Sequence, residues 1–511
     1  MIISAVADTP ARVLDALLLL AAASVLVLLR TSRPCSARWR RVLTLLAVIA
    51  VLLQVEIEGY RWQLAPAYAF IGALVVVNIF LPGRSVLTRW FDGWTGWTLV
   101  ILAAVLTTVI PNCEEPKPTG PYAVGTVVRH LVDTNRLESL ADIHGPRELM
   151  IQIWYPAERT NTRNSTIPSC AAASQSASTF ELFSQTCRRY ATVGAPISAA
   201  RASYPVVIYS PSWHGQRDQN TFQTEELASH GFVVVGIDHP YSSRVTAFPD
   251  GRIAHAVLVP FLVFSSNAAL LTSIRYIERQ LSVRVEDVEF TVRELRRFDQ
   301  HGSRDPFSGH LDLNRLGIVG YSFGGAVAAQ ACFVDPHFKA GMNMNGWLFG
   351  DVAEAGISQP FLFMDQSLQS PSRSQLSGRA PEKRREARME ERDYRQERHS
   401  VEAHGGYLIA IDGTRHVNFE TPPTAATLRY CLFDSGRIDA QRAMTIIRVY
   451  TLAFFEKHLN GAEEPILTGS SSKFPEVHFA WRANHAPQGI ASPGGVRDSY
   501  SRSNLLTTET P

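Results

Sequence analysis

The sequence of 511 residues has few cysteines and almost no net charge, and both deficits narrow the possible functions. Its six cysteines are scattered, with no Cys-x-x-Cys pair and no His/Cys spacing typical of metal sites. The formal net charge is only +2, and no basic stripe is interleaved with aromatic residues, so nucleic-acid binding is not expected. In an oxidising compartment, Cys170 and Cys187 could pair and close a Ser/Thr-rich insertion.

Long apolar runs are confined to the first 110 residues, at about 13–29, 42–55, 64–81 and 94–110. A membrane-spanning helix needs about 20 apolar residues, so these runs predict a transmembrane region of four helices over residues 1–111. A buried soluble bundle is the alternative. Arginines cluster between the first two runs, which marks that loop as cytoplasmic. The sequence thus predicts a multi-pass protein of the inner or plasma membrane, with everything after Pro111 facing the periplasm or exterior.

The remaining sequence alternates short apolar runs with helical patterns. This alternation predicts an α/β domain over residues 123–460, built on a mostly parallel sheet and preceded by a proline-punctuated linker at 112–122. Residues of about 370–405 form a charged insertion, interpreted as a solvated helix or flexible segment, with a lid as the alternative. Residues 461–511 are rich in Ser, Gly, Pro and Asn and predict a loosely ordered tail.

The pentapeptide Gly-Tyr-Ser-Phe-Gly at 320–324 is the most informative motif. An apolar run at 316–319 precedes it and a small-residue run at 326–329 follows it, as expected for a strand, a tight turn and a helix. In such a nucleophile elbow, flanking glycines let strand and helix approach and leave the serine exposed. Ser322 is therefore the predicted nucleophile, and a structural turn is the alternative.

Serine needs a base, and in the α/β-hydrolase order the base follows the nucleophile and the acid along the chain. His416 follows the predicted strand 407–411 and is the best candidate among the fifteen histidines. An oxyanion hole needs two main-chain N–H groups. We expect one from Phe323, directly after the nucleophile, and one from Trp213, in the loop after the predicted strand 206–209.

The acid is ambiguous. Asp365 ends one predicted strand and Asn345 ends the preceding one, and either strand end can reach the base in this fold. Asparagine in the acid position lowers turnover about 10⁴-fold in the serine-protease template. Asp365 is therefore the predicted acid, with Asn345 and Asp412 as alternatives.

Several segments resemble the plasma, lipoprotein-associated type of platelet-activating factor acetylhydrolases and their bacterial relatives. The resemblance runs from about residue 121 to 460 and is carried by segments at 152–156, 227–232, 320–325, 346–349, 416–419 and 452–459. By position it places the nucleophile on Ser322, the base on His416 and the oxyanion donors on Trp213 and Phe323. The family's acid falls on Asn345, which departs from the pattern.

The resemblance implies an α/β-hydrolase fold and a serine esterase that needs no metal or other cofactor. Its implied substrates are phospholipids with a short or oxidised sn-2 acyl chain, hydrolysed through an acyl-enzyme. Two alternatives stay open: a general carboxylesterase or lipase acting on small or polymeric esters, and a catalytically decayed binding module, favoured only by Asn345. The sequence does not determine the oligomeric state.

Overall fold

The computed structural model describes residues 11–30, 36–58, 62–80, 95–109, 115–159, 190–300, 304–368, 371–378, 380–421 and 436–482. These residues form two compact units, of which the first ends before Glu115 and the second contains the rest of the described chain. The predicted disulfide between Cys170 and Cys187 lies outside the described residues.

The described part of the first unit contains four long helices. They are α1 (Ala11–Arg30), α2 (Ser36–Glu58), α3 (Ala65–Phe80) and α4 (Gly96–Val109). Their apolar side chains share one small core that includes Leu18, Phe70 and Leu74. In this unit the hydroxyl of Tyr68 donates a hydrogen bond of 2.5 Å to Oε1 of the buried Gln54.

The prediction of four membrane-spanning helices is not supported. Among the described residues, no helix combines the length and the apolar character needed to cross a membrane. Within the described residues, helices α3 and α4 extend over 16 and 14 residues, fewer than the ~20 that a membrane span needs. Helix α2 has 23 residues but includes three arginines near its start and two glutamates at its end. The multi-pass topology and the outward orientation, which were predicted from the same apolar runs, are likewise not supported.

The second unit is built on one large sheet. Its described strands follow the order β12-β11-β10-β9-β8-β4-β5-β2-β1-β3, and β6 and β7 form a separate hairpin. The bounds are β1 Ala123–Leu137, β2 Pro146–Ala157, β3 Thr192–Val193, β4 Tyr204–Ser210, β5 Val233–Asp238, β6 Val245–Ala247, β7 Ile253–His255, β8 Leu311–Tyr321, β9 Phe338–Met344, β10 Phe361–Asp365, β11 Tyr407–Ile411 and β12 Val477–Arg482.

Helices cover both faces of this sheet. Strands β4, β5 and β11 are buried along their whole length, as parallel strands between two helix layers must be. Because side chains alternate along a strand, Ile208 packs into one core and Val207 into the other. The long helices of this unit are α5 Thr221–Ser229, α6 Asn267–Phe298, α7 Phe323–Val334, α8 Pro381–His404 and α9 Ala440–Asn460. The predicted α/β class is confirmed.

Two segments differ from expectation. Strand β12 lies in the predicted loose tail yet pairs antiparallel with β11. The charged insertion forms α8, with ion pairs such as Lys383–Glu386 and Arg398–Glu402 on its outer side. Its other side is not solvated, since Met389 and Val401 are buried there.

The sheet order determines where a site can form. Strand β5 lies on one side of β4 and β8 lies on the other, so the connections after β4 diverge. A crevice opens at the carboxyl ends of parallel strands at such a switch point. The segments that follow β4, β8, β9, β10 and β11 all begin at this edge.

Candidate active site

Ser322 lies at the turn between β8 and α7, with φ 56° and ψ −123°. This left-handed conformation is costly for a non-glycine residue and typical of functional turns. Glycine is required on both sides of Ser322, because neighbouring main-chain atoms occupy the space that a Cβ would need. A Cβ at Gly320 would lie 1.9 Å from the Gly324 carbonyl oxygen, and one at Gly324 would lie 2.0 Å from the Ser210 carbonyl oxygen. The local geometry is therefore that of the nucleophile elbow predicted from the sequence.

His416 begins a short 3₁₀ helix after β11 and faces Ser322. Its Nε2 lies 3.0 Å from the serine Oγ, within hydrogen-bonding distance. The Tyr321 hydroxyl donates a 3.0 Å hydrogen bond to the His416 carbonyl oxygen, and the two rings lie 5.2 Å apart. The residue before the serine thus fixes the segment that carries the histidine.

Desolvation by the protein packed around the ring lowers the pKa of His416 to about 4, below its ordinary value of 6.5, although the residue as a whole stays exposed to solvent. Removal from water disfavours the imidazolium, and a hydrogen bond with the Asn345 main chain offsets this only in part. The ring is therefore neutral at physiological pH and can accept a proton.

Asn345, rather than Asp365, contacts the histidine. The Asn345 amide Nδ2 lies 3.1 Å from His416 Nδ1, whereas the Asp365 carboxyl is hydrogen-bonded to Glu397. Asn345 adopts φ 51°, a conformation that asparagine and aspartate tolerate better than most residues.

Asp365 follows Met364, the partner of Met344 in the β9–β10 register, so it lies one strand away from the position beside the base. The placement does not support Asp365 as the residue that orients His416. Asp412, the other alternative, is hydrogen-bonded to His478 instead, at 2.8 Å.

Asp365 belongs to a cluster of carboxyl groups. Glu397 is 2% exposed, and Asp393 accepts a 2.6 Å hydrogen bond from the Leu348 main-chain N–H. Burial raises the pKa of Asp365 to about 7 and raises the pKa values of Asp393 and Glu397 well above their ordinary range, with mutual repulsion adding to the effect for the last two. The cluster therefore holds protons at neutral pH.

The predicted oxyanion donors also lie at this edge. Phe323 begins α7, so its main-chain N–H is one of the helix donors without an intrahelical acceptor. The Trp213 ring packs edge-to-face on the Phe323 ring at 5.0 Å, and its indole donates to the Val259 carbonyl oxygen. Within the described residues, the main-chain N–H of Trp213 has no acceptor.

A cavity of about 520 Å³ opens at Ser322 and His416, a size in the usual range for small-molecule sites. Its lining includes the aromatic side chains of Phe261, Phe323, Trp347 and Tyr394. It also includes the carboxyl groups of Asp365, Glu390, Asp393 and Glu397. Among the described residues, no group of His, Cys, Asp and Glu side chains has the arrangement of a metal site.

The sequence interpretation missed the contribution of α8 to this cavity. Glu390, Asp393, Tyr394 and Glu397 follow the i, i+3, i+4, i+7 spacing of one helix face. The signal was present, but a helix dense in Arg and Glu on every side resembles a solvated one. It also missed the Tyr321 contact, because nothing in the chain predicts that a phenol would meet the main chain nearly a hundred residues later.

The chain is similar to known proteins over most of its length. The family model described as "Platelet-activating factor acetylhydrolase, isoform II" matches residues 107–466. A probable 1-alkyl-2-acetylglycerophosphocholine esterase of Arthroderma benhamiae is 23% identical, over 74% of this chain and 97% of that protein. The platelet-activating factor acetylhydrolase of Cavia porcellus is 25% identical, over 71% of this chain and 82% of that protein.

A solved structure supports the fold. A ferulic acid esterase from Streptomyces cinnamoneus superposes with a TM-score of 0.54 at 24% identity, covering 72% of this chain and 99% of that one. Its architecture is consistent with the α/β-hydrolase fold inferred from the strand order and the elbow. Since the family model spans well over half of the sequence, the chain belongs to the platelet-activating factor acetylhydrolase, isoform II, family and is a carboxylic ester hydrolase.

Proposed function

We propose that the protein is a serine hydrolase that cleaves short or oxidised sn-2 acyl esters of phospholipids through an acyl-enzyme on Ser322. The observation that carries the proposal is the 3.0 Å contact between Ser322 Oγ and His416 Nε2, at an elbow that opens into the cavity. The enzyme class follows from family membership, and this contact supports the serine mechanism.

The chemistry follows from the placement of the groups. Ser322 Oγ attacks the ester carbonyl and its proton passes to His416 Nε2, while the N–H groups of Trp213 and Phe323 stabilise the oxyanion. The tetrahedral intermediate collapses, and the leaving alcohol takes the proton from His416. Water then attacks the acyl-enzyme by the same route and releases the acid. Asn345 orients the imidazole in this scheme, as asparagine does in Cys-His-Asn sites.

The lining of the cavity supports a phospholipid substrate with a cationic headgroup. The carboxyl groups of the lining provide negative charge when ionised, and Trp347 and Tyr394 provide aromatic faces. Quaternary ammonium groups are recognised by this combination. A relative is named for a glycerophosphocholine ester, whose choline carries such a group. A cation bound there would also lower the carboxyl pKa values and so favour the ionised state that binds it.

The first experiment is burst-phase hydrolysis of p-nitrophenyl acetate and longer esters by the full chain. We expect a burst of one product per enzyme that is absent in Ser322→Ala and strongly reduced in His416→Ala. If wild type shows no burst and Ser322→Ala keeps its turnover, the serine mechanism is wrong. Asp365→Asn distinguishes Asn345 from Asp365 as the third residue of the catalytic triad. A strongly reduced burst in that variant would show that Asp365 is the acid that orients His416.

The substrate class needs a second experiment, in which acetyl and palmitoyl esters at the sn-2 position of glycerophosphocholine are compared by kcat/KM. The proposal requires at least a tenfold preference for the acetyl ester. Equal rates on both lipids and on simple alkyl esters would favour a general carboxylesterase or lipase, which would use the same catalytic residues.

A further inference from the structure

Arg284 is a buried cation directly behind the candidate oxyanion hole. It lies on α6 and is 0% exposed. Its Nη1 donates to the carbonyl oxygens of Pro211 and Ser212, at 2.9 and 3.1 Å, and its Nε donates to Ser242 Oγ at 3.0 Å. The guanidinium carbon lies 4.9 Å from the centroid of the Phe323 ring. Arg284 therefore contacts both segments that supply the candidate oxyanion donors.

The contact with Ser212 has a specific consequence for catalysis. The Ser212 carbonyl and the Trp213 N–H belong to the same peptide group, and in a trans peptide they point in opposite directions. A charged donor on the carbonyl therefore fixes the direction of the N–H. It also withdraws electrons from the peptide and makes the N–H a stronger donor, as in other hydrogen-bond chains.

The hydrogen-bond donors of Arg284 are not taken up by the nearby carboxylate of Asp287. Asp287, one turn further along α6, is hydrogen-bonded to Arg147 and His239 and also pairs with Arg136. No side-chain carboxylate of the described residues is hydrogen-bonded to Arg284, whose donors face main-chain carbonyls and a serine hydroxyl. Burial lowers the pKa of Arg284 to about 9, which still leaves it charged at neutral pH. Its hydrogen bonds are thus directed at the peptide groups after β4 and at Ser242.

We propose that Arg284 is a positioning residue for the oxyanion hole, which aims and polarises the Ser212–Trp213 peptide and holds Phe323 beside it. It does not touch substrate and acts only through these two segments. The inference rests on the proposed serine mechanism, because the oxyanion forms only if Ser322 attacks the ester.

The test uses the full chain and three variants: Arg284→Met, Arg284→Lys and Ser242→Ala. The burst phase with p-nitrophenyl acetate is recorded at several substrate concentrations. Its rate gives the acylation rate constant and the substrate affinity as two separate values. Affinity is also measured for a trifluoromethyl ketone, which forms an oxyanion on the serine. Removing one oxyanion donor typically costs about 10²–10³-fold in rate. We expect Arg284→Met to lose roughly that factor in acylation and in ketone affinity, with substrate affinity changed by less than about threefold.

Arg284→Lys keeps the charge and should recover most, but not all, of the loss, whereas Ser242→Ala frees one edge of the guanidinium and should lose a measurable factor of about three- to tenfold. Arg279→Met is the matched control, because Arg279 lies on the same helix and donates to a different carbonyl, that of Ser139. It should match wild type.

A folded Arg284→Met that acylates like wild type overturns the inference, as does an equal loss of substrate and ketone affinity. If Arg284→Met does not fold, wild-type values in both Arg284→Lys and Ser242→Ala overturn it, and a selective loss of ketone affinity in either supports it. Failure of the proposed function looks different, since wild type itself would then show no burst that depends on Ser322.

Discussion

The Asn345 side-chain nitrogen lies 3.1 Å from His416 Nδ1, and this contact decides which imidazole nitrogen carries the proton. When the amide NH₂ faces Nδ1, the neutral ring carries its proton on Nε2, which then cannot accept the proton of Ser322. When the amide is rotated by 180°, its oxygen accepts from Nδ1–H and Nε2 becomes the base. Asparagine allows both tautomers, whereas a carboxylate would hold only the productive one.

Asn345→Asp is therefore expected to raise kcat for p-nitrophenyl acetate by about tenfold or more. The ~10⁴-fold effect of the reverse change in the serine-protease template is an upper bound, because asparagine can rotate here and the new carboxylate would lie next to Asp365. Asn345→Ala is the control and should lower kcat, since it removes both orientations of the hydrogen bond. A drop in kcat for Asn345→Asp would show that the asparagine is the better third member in this site.

The pH dependence of the reaction should reflect the lowered pKa of His416. Imidazole must be neutral to accept the serine proton, so kcat/KM should rise with pH through an acidic limb near the histidine pKa of about 4 rather than 6.5. The limb is measured from pH 3.5 to 8 with an ester that does not itself titrate. In Asn345→Asp it should move upward, because a neighbouring carboxylate favours the imidazolium. A wild-type limb near 6.5 would mean that the base is well solvated.

Tyr321→Phe removes the hydrogen bond from the phenol to the His416 carbonyl oxygen. A buried hydrogen bond contributes about 0.5–1.5 kcal/mol, so we expect a loss of that order in unfolding free energy and a three- to tenfold lower kcat as the histidine loosens. Tyr209→Phe is the matched control, because the buried Tyr209 hydroxyl has no hydrogen-bond partner among the described residues. It should leave both quantities unchanged. Equal effects of the two substitutions would rule out a specific role for the Tyr321 contact.

The strands and the elbow were predictable because their signals are local. Buried parallel strands are continuous apolar runs, and the small residues around Ser322 report how closely strand and helix approach. His416 was predicted from its position after the last predicted strand. The alternation of strands and helices and the geometry of the elbow thus follow from the sequence alone.

What the sequence could not predict depends on distances across the sheet edge. Asn345 and Asp365 end adjacent strands, and only the fold determines which of them reaches His416. Residue chemistry favoured the carboxylate, and the geometry favours the amide. In the sequence, Arg284 is one of many charged residues on an amphipathic helix. Its contacts with the loop after β4 form only when the chain is folded.

Stability should decrease as pH rises, because the carboxyl cluster is favoured in its protonated form. The pKa of Asp365 is raised from 3.8 to about 7. Its contribution to stability is therefore complete below about pH 4 and is lost as pH rises through about 7. We expect the thermal midpoint to fall by a few degrees between pH 5.5 and 8. Glu397→Gln, which removes one ionisable neighbour, should flatten this slope, and an unchanged slope in that variant would place its origin elsewhere.

The carboxyl groups that line the cavity lead to a prediction about the headgroup of the phospholipid substrate. If ionised Asp393 and Glu397 attract a quaternary ammonium, Glu397→Gln and Asp393→Asn should raise KM about five- to tenfold for an acetyl-glycerophosphocholine ester, with kcat nearly unchanged. Loss of an interaction present in both the ground and transition states has that signature. An acetyl ester of the same glycerol backbone without choline should show no change in KM. Exposed Glu402 on the same helix is paired with Arg398, so Glu402→Gln serves as the control for a change of net charge alone. If Glu397→Gln changes KM equally for the choline and the choline-free esters, the carboxyl groups shape the cavity and do not recognise the cation.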